Sequence, residues 1–304
     1  MAQIHKLTIA VLTRNRCDQL IEALDSCIAC RLPEETEYIV LDNASTDGTL
    51  RAMEQYSQQH PDLELKIYHS EENLGAGGGR NYLFAHATGR YVYFLDDDAI
   101  ISPKCRETFF TQSIAYLDAH PQVASLSTQI EDTVMGYARM RMESKKHLIG
   151  GLPVLFFYLG GSQFLRRECF DQPLCFNIIY GLEECAPSIC AVDKGYYNVC
   201  SQTAWIIHRP PIDKWAEESK HRRGILIAAV AIGCATKHIL YPRIFYPVVW
   251  LAYQLRCIRH LRKYPGAKKE ANAVVKQVIR ENPRKKVRVR TVLWMYRMFG
   301  KTVW

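Results

Sequence analysis

Short apolar runs punctuate the first hundred residues, at 7–12, 38–41, 65–68 and 91–95. Each ends in a polar cluster, and the first three clusters give way to stretches with helical periodicity. In the stretch 18–30, for example, Leu20, Ile21, Leu24 and Ile28 fall on one face. Strand, polar turn and helix in repetition predict an α/β domain built on a mainly parallel central sheet. Ligands of such sheets bind beyond the carboxyl ends of the strands, which is where the unusual polar clusters of this chain lie. From 102 to 211 the pattern is mixed, predicting a helix over 105–119 and strands near 123–129, 155–165 and 198–208. Beyond Lys214 it is helical: 225–240, 248–263 and 271–281, the last with Val274, Val275, Val278 and Ile279 at helical spacing. The expected organisation is a domain over 1–213, with halves at about 1–101 and 102–213, and a helical extension over 214–304.

Charge sharpens that division. The 304 residues carry a formal net charge of +8, yet Lys214 onward holds 21 Lys and Arg against 4 Asp and Glu, and the residues before it 18 against 27. An acidic domain with a basic extension is a different object from a generally basic protein. The 11 cysteines form no repeating framework, which suits a reducing cytoplasm. Cys27 and Cys30 make one CxxC on an expected helix, with no second pair to complete a metal site. No leader-like apolar run opens the chain, and the longest uncharged apolar run, 224–236, is shorter than a spanning helix needs. The basic run 284–290 precedes Leu293, Trp294, Tyr296, Phe299 and Trp304. That combination fits an interfacial helix on anionic lipid better than a nucleic-acid surface; the alternative is that these residues pack onto the domain.

Asp96-Asp97-Asp98 closes the fourth apolar run. Three adjacent carboxylates repel one another unless a cation compensates, and a hard divalent ion such as Mg²⁺ is held by one or two carboxylates plus substrate phosphates. Side chains alternate along a strand end, so Asp96 and Asp98 can face the same way with Asp97 turned aside. The segment Asn73-Leu74-Gly75-Ala76-Gly77-Gly78-Gly79-Arg80 departs from a dinucleotide fingerprint, because Arg80 stands where the third glycine is needed. It reads as a turn into a helix N-terminus, which favours an anion, or as glycines for close strand–helix packing.

In order along residues 7–210, Thr13-Arg14-Asn15-Arg16, Asp42-Asn43-Ala44-Ser45-Thr46-Asp47-Gly48-Thr49, Asn73-Leu74-Gly75, Arg80-Asn81 and Leu95-Asp96-Asp97-Asp98-Ala99 resemble the motifs of the inverting family-2 glycosyltransferases of GT-A fold. The Gly-rich loop with its DDDA is most similar to the rhamnosyl- and galactofuranosyltransferase branch. The resemblance implies that Thr13, Arg14, Asn15, Asp42, Ser45 and Asp47 hold a nucleotide base and ribose. Asn73, Gly75, Arg80, Asp96 and Asp97 would complete the nucleotide-sugar pocket. Asp96, Asp98 and His208 would hold Mn²⁺ or Mg²⁺ on the diphosphate. Glu183-Glu184 matches the acidic pair that carries the catalytic base, Glu184 or Glu183. The family's further acidic residue and arginine are replaced by Ala186 and Cys190. Gly160, Gly161 and Ser162 match a small-residue loop under the acceptor.

The implied function is metal-dependent transfer of a hexose from a UDP- or dTDP-sugar to an acceptor hydroxyl with inversion, in cell-envelope or other surface glycan assembly. The implied partners are a nucleotide-sugar donor and a lipid-linked or other glycan acceptor. The implied place is the cytoplasm, peripheral on the inner face of the membrane through residues 284–304, with no role for nucleic acid. A nucleotidyltransferase of similar fold would place a Gly-rich loop after the first strand, where Thr13-Arg14-Asn15-Arg16 stands. A processive synthase would carry spanning helices and a QxxRW motif. A nucleotide-sugar-binding protein without catalysis is the non-enzyme alternative.

Overall fold

The four apolar runs of the first hundred residues lie side by side as parallel strands: β1 Leu7–Thr13, β2 Thr36–Asn43, β3 Leu65–Ser70 and β4 Tyr91–Asp96, in the order β3-β2-β1-β4. Between them run α1 Cys17–Ile28, α2 Thr49–Gln59 and α3 Gly75–His86. The computed structural model describes residues 5–134, 136–137, 142–210, 220–283 and 285–304; the expected boundary at Lys214, and Arg284 of the basic run, lie outside these. The chain continues through β5 Ala99–Ile101, α4 Phe109–Ala119, β6 Val123–Asp132, β7 Gly136–Tyr137, β8 Glu143–Ile149, β9 Leu152–Leu155, β10 Ser162–Arg166, α5 Cys185–Lys194 and β11 Tyr197–His208. The main path of the sheet extends the parallel half as β4-β10-β6-β11-β9-β8, with β5 on β11 and β7 on β6. β10 is antiparallel to both neighbours, and β6 and β11 are parallel.

Because side chains alternate across a strand, each parallel strand feeds two cores and reads as almost continuously apolar. Ile9, Val11, Val40, Tyr93 and Leu95 pack beneath α1, α2 and α4. Ala10, Ile39, Leu41, Val92 and Phe94 pack beneath α3, with Ala191 of α5 in the same cluster. The expected single strand over 155–165 is two strands on different neighbours: β9 pairs with β11, and β10 inserts between β4 and β6. The intervening chain leaves the ladder because its backbone donors find side chains instead. The Tyr158 N–H donates to Ser188 Oγ and the Leu159 N–H to Ser127 Oγ.

The C-terminal helices α6 Lys220–Leu240, α7 Tyr246–Arg256, α8 Ala267–Glu281 and α9 Val289–Phe299 share a third core with Phe156, Ile178 and Ile189. Within α6, Arg222–Leu240 is long and apolar enough to cross a membrane by length and composition, and more than half of it is buried here. The tail packs one face inward. Val292 and Met295 are fully buried, Thr291 donates to Asp193, and the Trp294 ring lies 5.9 Å from that of Tyr197.

Candidate functional site

Parallel register sets the first wall of the site. Thr13 lies beside Asp42, and Leu12 beside Asp96, so the ends of β1, β2 and β4 bring those residues together. Asp42 is fully buried, and its carboxylate accepts from the Ser45 N–H and faces His69 Nδ1 at 2.9 Å. The turns after β1 and β2 are locked to one another: the Asn15 N–H donates to Ser45 Oγ, and Asn15 Oδ1 accepts from the Thr46 N–H. Asn15 (φ 54°) and Ala44 (φ 62°) both adopt the left-handed conformation, a strain held by this cross-bonding. Asp47, just ahead of α2, accepts from the Thr49 N–H. Arg14 remains exposed, its Nε 3.5 Å from the Ala44 carbonyl.

The start of α3 is engaged by the protein's own backbone, which corrects the anion-site reading of the Gly-rich segment. The Ala76 and Gly77 N–H groups donate to the Ile179 and Ile178 carbonyls. A Cβ on Gly75 would lie 2.6 Å from Ile179 Cα, and one on Gly77 2.3 Å from the Phe176 carbonyl oxygen. The glycines therefore admit a crossing chain rather than a phosphate. Asn73 serves the same turn, its Oδ1 accepting from the Gly75 N–H and Asn43 Nδ2.

One turn further on, Arg80 is buried and joins two groups of carboxylates. Its Nη2 donates to Asp96 Oδ1 at 2.7 Å and to the Gly160 carbonyl at 2.9 Å, while Nη1 pairs with Glu183. Arg80, expected in the nucleotide-sugar pocket, is thus engaged by the acidic cluster. A buried guanidinium with its fork fully engaged fixes the spacing of its acidic partners.

Asp96, Asp98 and His208 can each direct one ligand atom so that all lie within 4.8 Å of one another. The sheet explains why residues so far apart in sequence meet. β5 follows the aspartates directly and pairs antiparallel with the end of β11, putting Ala99 opposite His208. The Arg209 N–H then donates to the Asp98 carbonyl at 2.8 Å. His208 Nε2 lies 3.3 Å from Asp98 Oδ1, and Nδ1 is 2.9 Å from Asp132 Oδ2. Burial works against charge on His208, but Asp98 and Asp132 outweigh it and raise its pKa. Burial would likewise raise Asp98; His208 and the Arg16 guanidinium at 2.5 Å reverse that and hold it well below the usual carboxylate range. Asp97 is turned into the interior, and burial, only partly offset by Arg16, pushes it up to about 7. Two carboxylates and an imidazole with a second-carboxylate partner are a donor set suited to Mg²⁺ or Mn²⁺.

Glu184 closes the opposite side. It precedes α5, following a turn in which Gly181 (φ 90°) and Leu182 (φ 56°) both take positive φ. A Cβ on Gly160 would lie 3.7 Å from Glu184 Oε2, and one on Gly161 3.4 Å from Asp96 Oδ2. The two glycines thus form a floor between the carboxylate groups. Burial raises Glu184 to about 6, against the lowering by its own backbone N–H and Arg80. Ser162 is a correction: it is fully buried, its hydroxyl 2.7 Å from the Tyr93 hydroxyl, and presents nothing to an acceptor. Sequence reasoning missed three residues. Arg16, which pairs with Asp98, follows the first strand with no local sign of that partner, and Asp132 has no local signal at all. Tyr180 is half exposed, and burial together with Asp96 and Asp98 raises its hydroxyl pKa.

Known proteins carry the same arrangement of elements. Residues 8–172 match the family described as Glycosyl transferase family 2. The chain is 32% identical over 101 residues to the glycosyltransferase EpsE of Bacillus subtilis (strain 168), which is 33% of this chain and 34% of that protein. It is 34% identical over 117 residues to the poly(ribitol-phosphate) β-N-acetylglucosaminyltransferase TarS of Staphylococcus aureus (strain Mu50 / ATCC 700699), 38% of this chain and 19% of that protein. The chain thus spans about a third or less of these relatives' own length. Among solved structures, S. aureus TarS 1–349 in complex with UDP-GlcNAc superposes with a TM-score of 0.65 at 18% identity, covering 98% of this chain and 88% of that one. The mannosyltransferase PcManGT from Pyrobaculum calidifontis, in complex with GDP-Man and Mn²⁺, gives 0.59 at 20% identity, covering 96% and 79%. At those identities the likeness is one of fold, and the fold is GT-A. The family match runs over more than half of the chain, from β1 past the acidic strand end to β10, and by it the chain belongs to glycosyl transferase family 2.

Proposed function

We propose that the chain transfers a hexose from a UDP- or dTDP-sugar to an acceptor hydroxyl with inversion at the anomeric carbon, dependent on Mn²⁺ or Mg²⁺. The observation that carries this reading is the placing of the Asp96–Asp98–His208 group opposite the buried carboxyl of Glu184 across the Gly160–Gly161 floor. The locked turns holding Thr13, Asn15, Asp42, Ser45 and Asp47 offer polar edges for base and ribose at the strand ends, with the exposed Arg14 beside them. Asn73 and Gly75 act on this pocket by shaping its side wall. A divalent ion bound by Asp96, Asp98 and His208 would neutralise the charge that grows on the departing diphosphate. Asp97, turned inward, and Arg16 hold Asp98 in place for that role.

Glu184 takes the proton of the acceptor hydroxyl as its oxygen bonds to the anomeric carbon. The bond from that carbon to the diphosphate breaks, and the nucleoside diphosphate leaves on the opposite face. A carboxylate raised to about 6 is well matched to accept a proton near neutrality. Glu183, engaged by Arg80, is the positioning member of the pair.

The acceptor is a lipid-linked or other surface glycan, a reading supported by the poly(ribitol-phosphate) in the name of TarS. The cytoplasmic side of the membrane is the proposed place; eleven free cysteines support a reducing compartment. The deciding experiment is a thermal-shift screen of UDP- and dTDP-hexoses with each metal, followed by nucleoside diphosphate release with candidate acceptors. A ligand bound only by the native state raises its melting temperature. A metal-dependent shift with no release for any acceptor would favour a nucleotide-sugar-binding protein without catalysis, and no shift for any donor overturns the reading.

A further inference from the structure

Helix α7 is apolar on two opposite sides. At about 100° per residue, Val249, Tyr253 and Cys257 fall together and are buried in the core shared with α6 and α8. Pro247, Leu251, Leu255 and Ile258 fall on the other side and face solvent. Leu251 and Leu255 are each 58% exposed and Ile258 57%, with Ile244 (68%) just ahead of the helix and Trp250 (51%) at its margin. The helix continues through one wider turn, Cys257–Leu261, which carries Ile258 and Arg259 outward. An uncovered stripe of this size on a folded protein marks an interaction surface.

Its surroundings identify the partner. From Lys237 to Lys269 the sequence has eight Lys and Arg and no Asp or Glu. Arg243, Arg259 and Arg262 are exposed around the stripe and form no ion pair among the described residues. A second copy of the chain meeting this face would press two rings of positive charge together. An anionic lipid surface satisfies both features at once, taking the apolar side chains between its headgroups and the guanidinium groups against its phosphates. The tail, by contrast, has already placed Val292 and Met295 inside the protein.

We propose that the outer face of α7, from Ile244 to Ile258 with Arg243, Arg259 and Arg262 at its rim, is the surface by which this protein lies on an anionic lipid bilayer. The helix lies in the plane of the interface, and α6 stays in the protein core. This is independent of the reaction proposed above, since vesicle binding is read without turnover and an inactive chain tests it equally.

The test is flotation of the full chain with vesicles of phosphatidylcholine alone or mixed with phosphatidylglycerol. The expected result is binding to the mixed vesicles, weakened by salt and by omission of phosphatidylglycerol. Leu251→Glu with Leu255→Glu should cut the bound fraction roughly tenfold with an unchanged melting temperature, because both side chains are exposed. Arg259→Glu with Arg262→Glu should remove the preference for anionic vesicles, and Leu293→Glu on α9 should float like the parent. The proposal is overturned if the parent does not float, if the Leu251/Leu255 variant floats like the parent, or if Leu293→Glu alone abolishes binding. It is equally overturned if the parent is a dimer, without vesicle binding, that the Leu251/Leu255 variant converts to a monomer.

Discussion

Asp98 and Glu184 are both buried carboxylates of one cleft, and their surroundings drive them in opposite directions. Asp98 has an imidazole on one oxygen and a guanidinium on the other, and stays ionised far below neutrality. Glu184 has only a distant share of Arg80, so burial dominates and lifts it to about 6. The difference lies in partners rather than in depth. These surroundings suit the roles proposed for them: Asp98, proposed to hold a cation, is faced by positive charge, and Glu184, proposed to exchange a proton, is left almost alone beside a group already neutralised elsewhere. Arg80 makes this division possible by spending its fork on Asp96 and Glu183.

The comparison can be broken at either end. Asp98→Ala is expected to lower transfer by on the order of a thousandfold or more, because the stabilised charge exists only in the transition state; release of nucleoside diphosphate measures it. Arg80→Ala strands Asp96 and Glu183 without their cation, and should destabilise the fold by about 3–5 kcal/mol, seen as a lowered denaturation midpoint. Glu184→Gln should reduce kcat by roughly a hundredfold or more while the donor-induced melting shift is retained; wild-type turnover in this variant would sink the assignment of the base.

Glu184 also sharpens the comparison through pH. Proton abstraction needs the ionised form, so kcat should rise as pH increases through about 6 and level off above it. Stability runs the other way. A folded-state pKa raised from 4.5 to about 6 favours the protonated native form, a contribution fully present below the unfolded value and lost as pH rises through the folded one. Above neutrality Glu184→Gln should therefore be more stable than the parent by about 2 kcal/mol, a gap that narrows as pH falls from 7 toward 4.5 in parallel melts.

Much of the site was legible because parallel strands end together: once 7–12, 38–41 and 91–95 are read as strands, their terminal residues must be neighbours. The grouping of His208 with the aspartates was expected from family resemblance alone, and β5, three residues long, is what physically brings it to Asp98. Asp132 was invisible because its meeting with His208 depends on β6 and β11 pairing in parallel across 76 residues. Ser162 was misread because a small residue beside two glycines looks available, whereas strand alternation turns it to Tyr93. The tail was open to two readings by composition alone. The structure puts Val292, Met295 and part of Trp294 in the core, while α7, apolar on two sides, shows that helical periodicity reveals an apolar face but not which of two faces is covered.

The glycines at the start of α3 act as a saddle for the chain that crosses over them at Phe176 to Ile179 and then delivers Glu183 and Glu184. A methyl group there has nowhere to go except into that crossing strap, which must rise and carry the acidic pair with it. The height at which the acidic pair sits is thus gauged by the thickness of a hydrogen atom at Gly75 and Gly77.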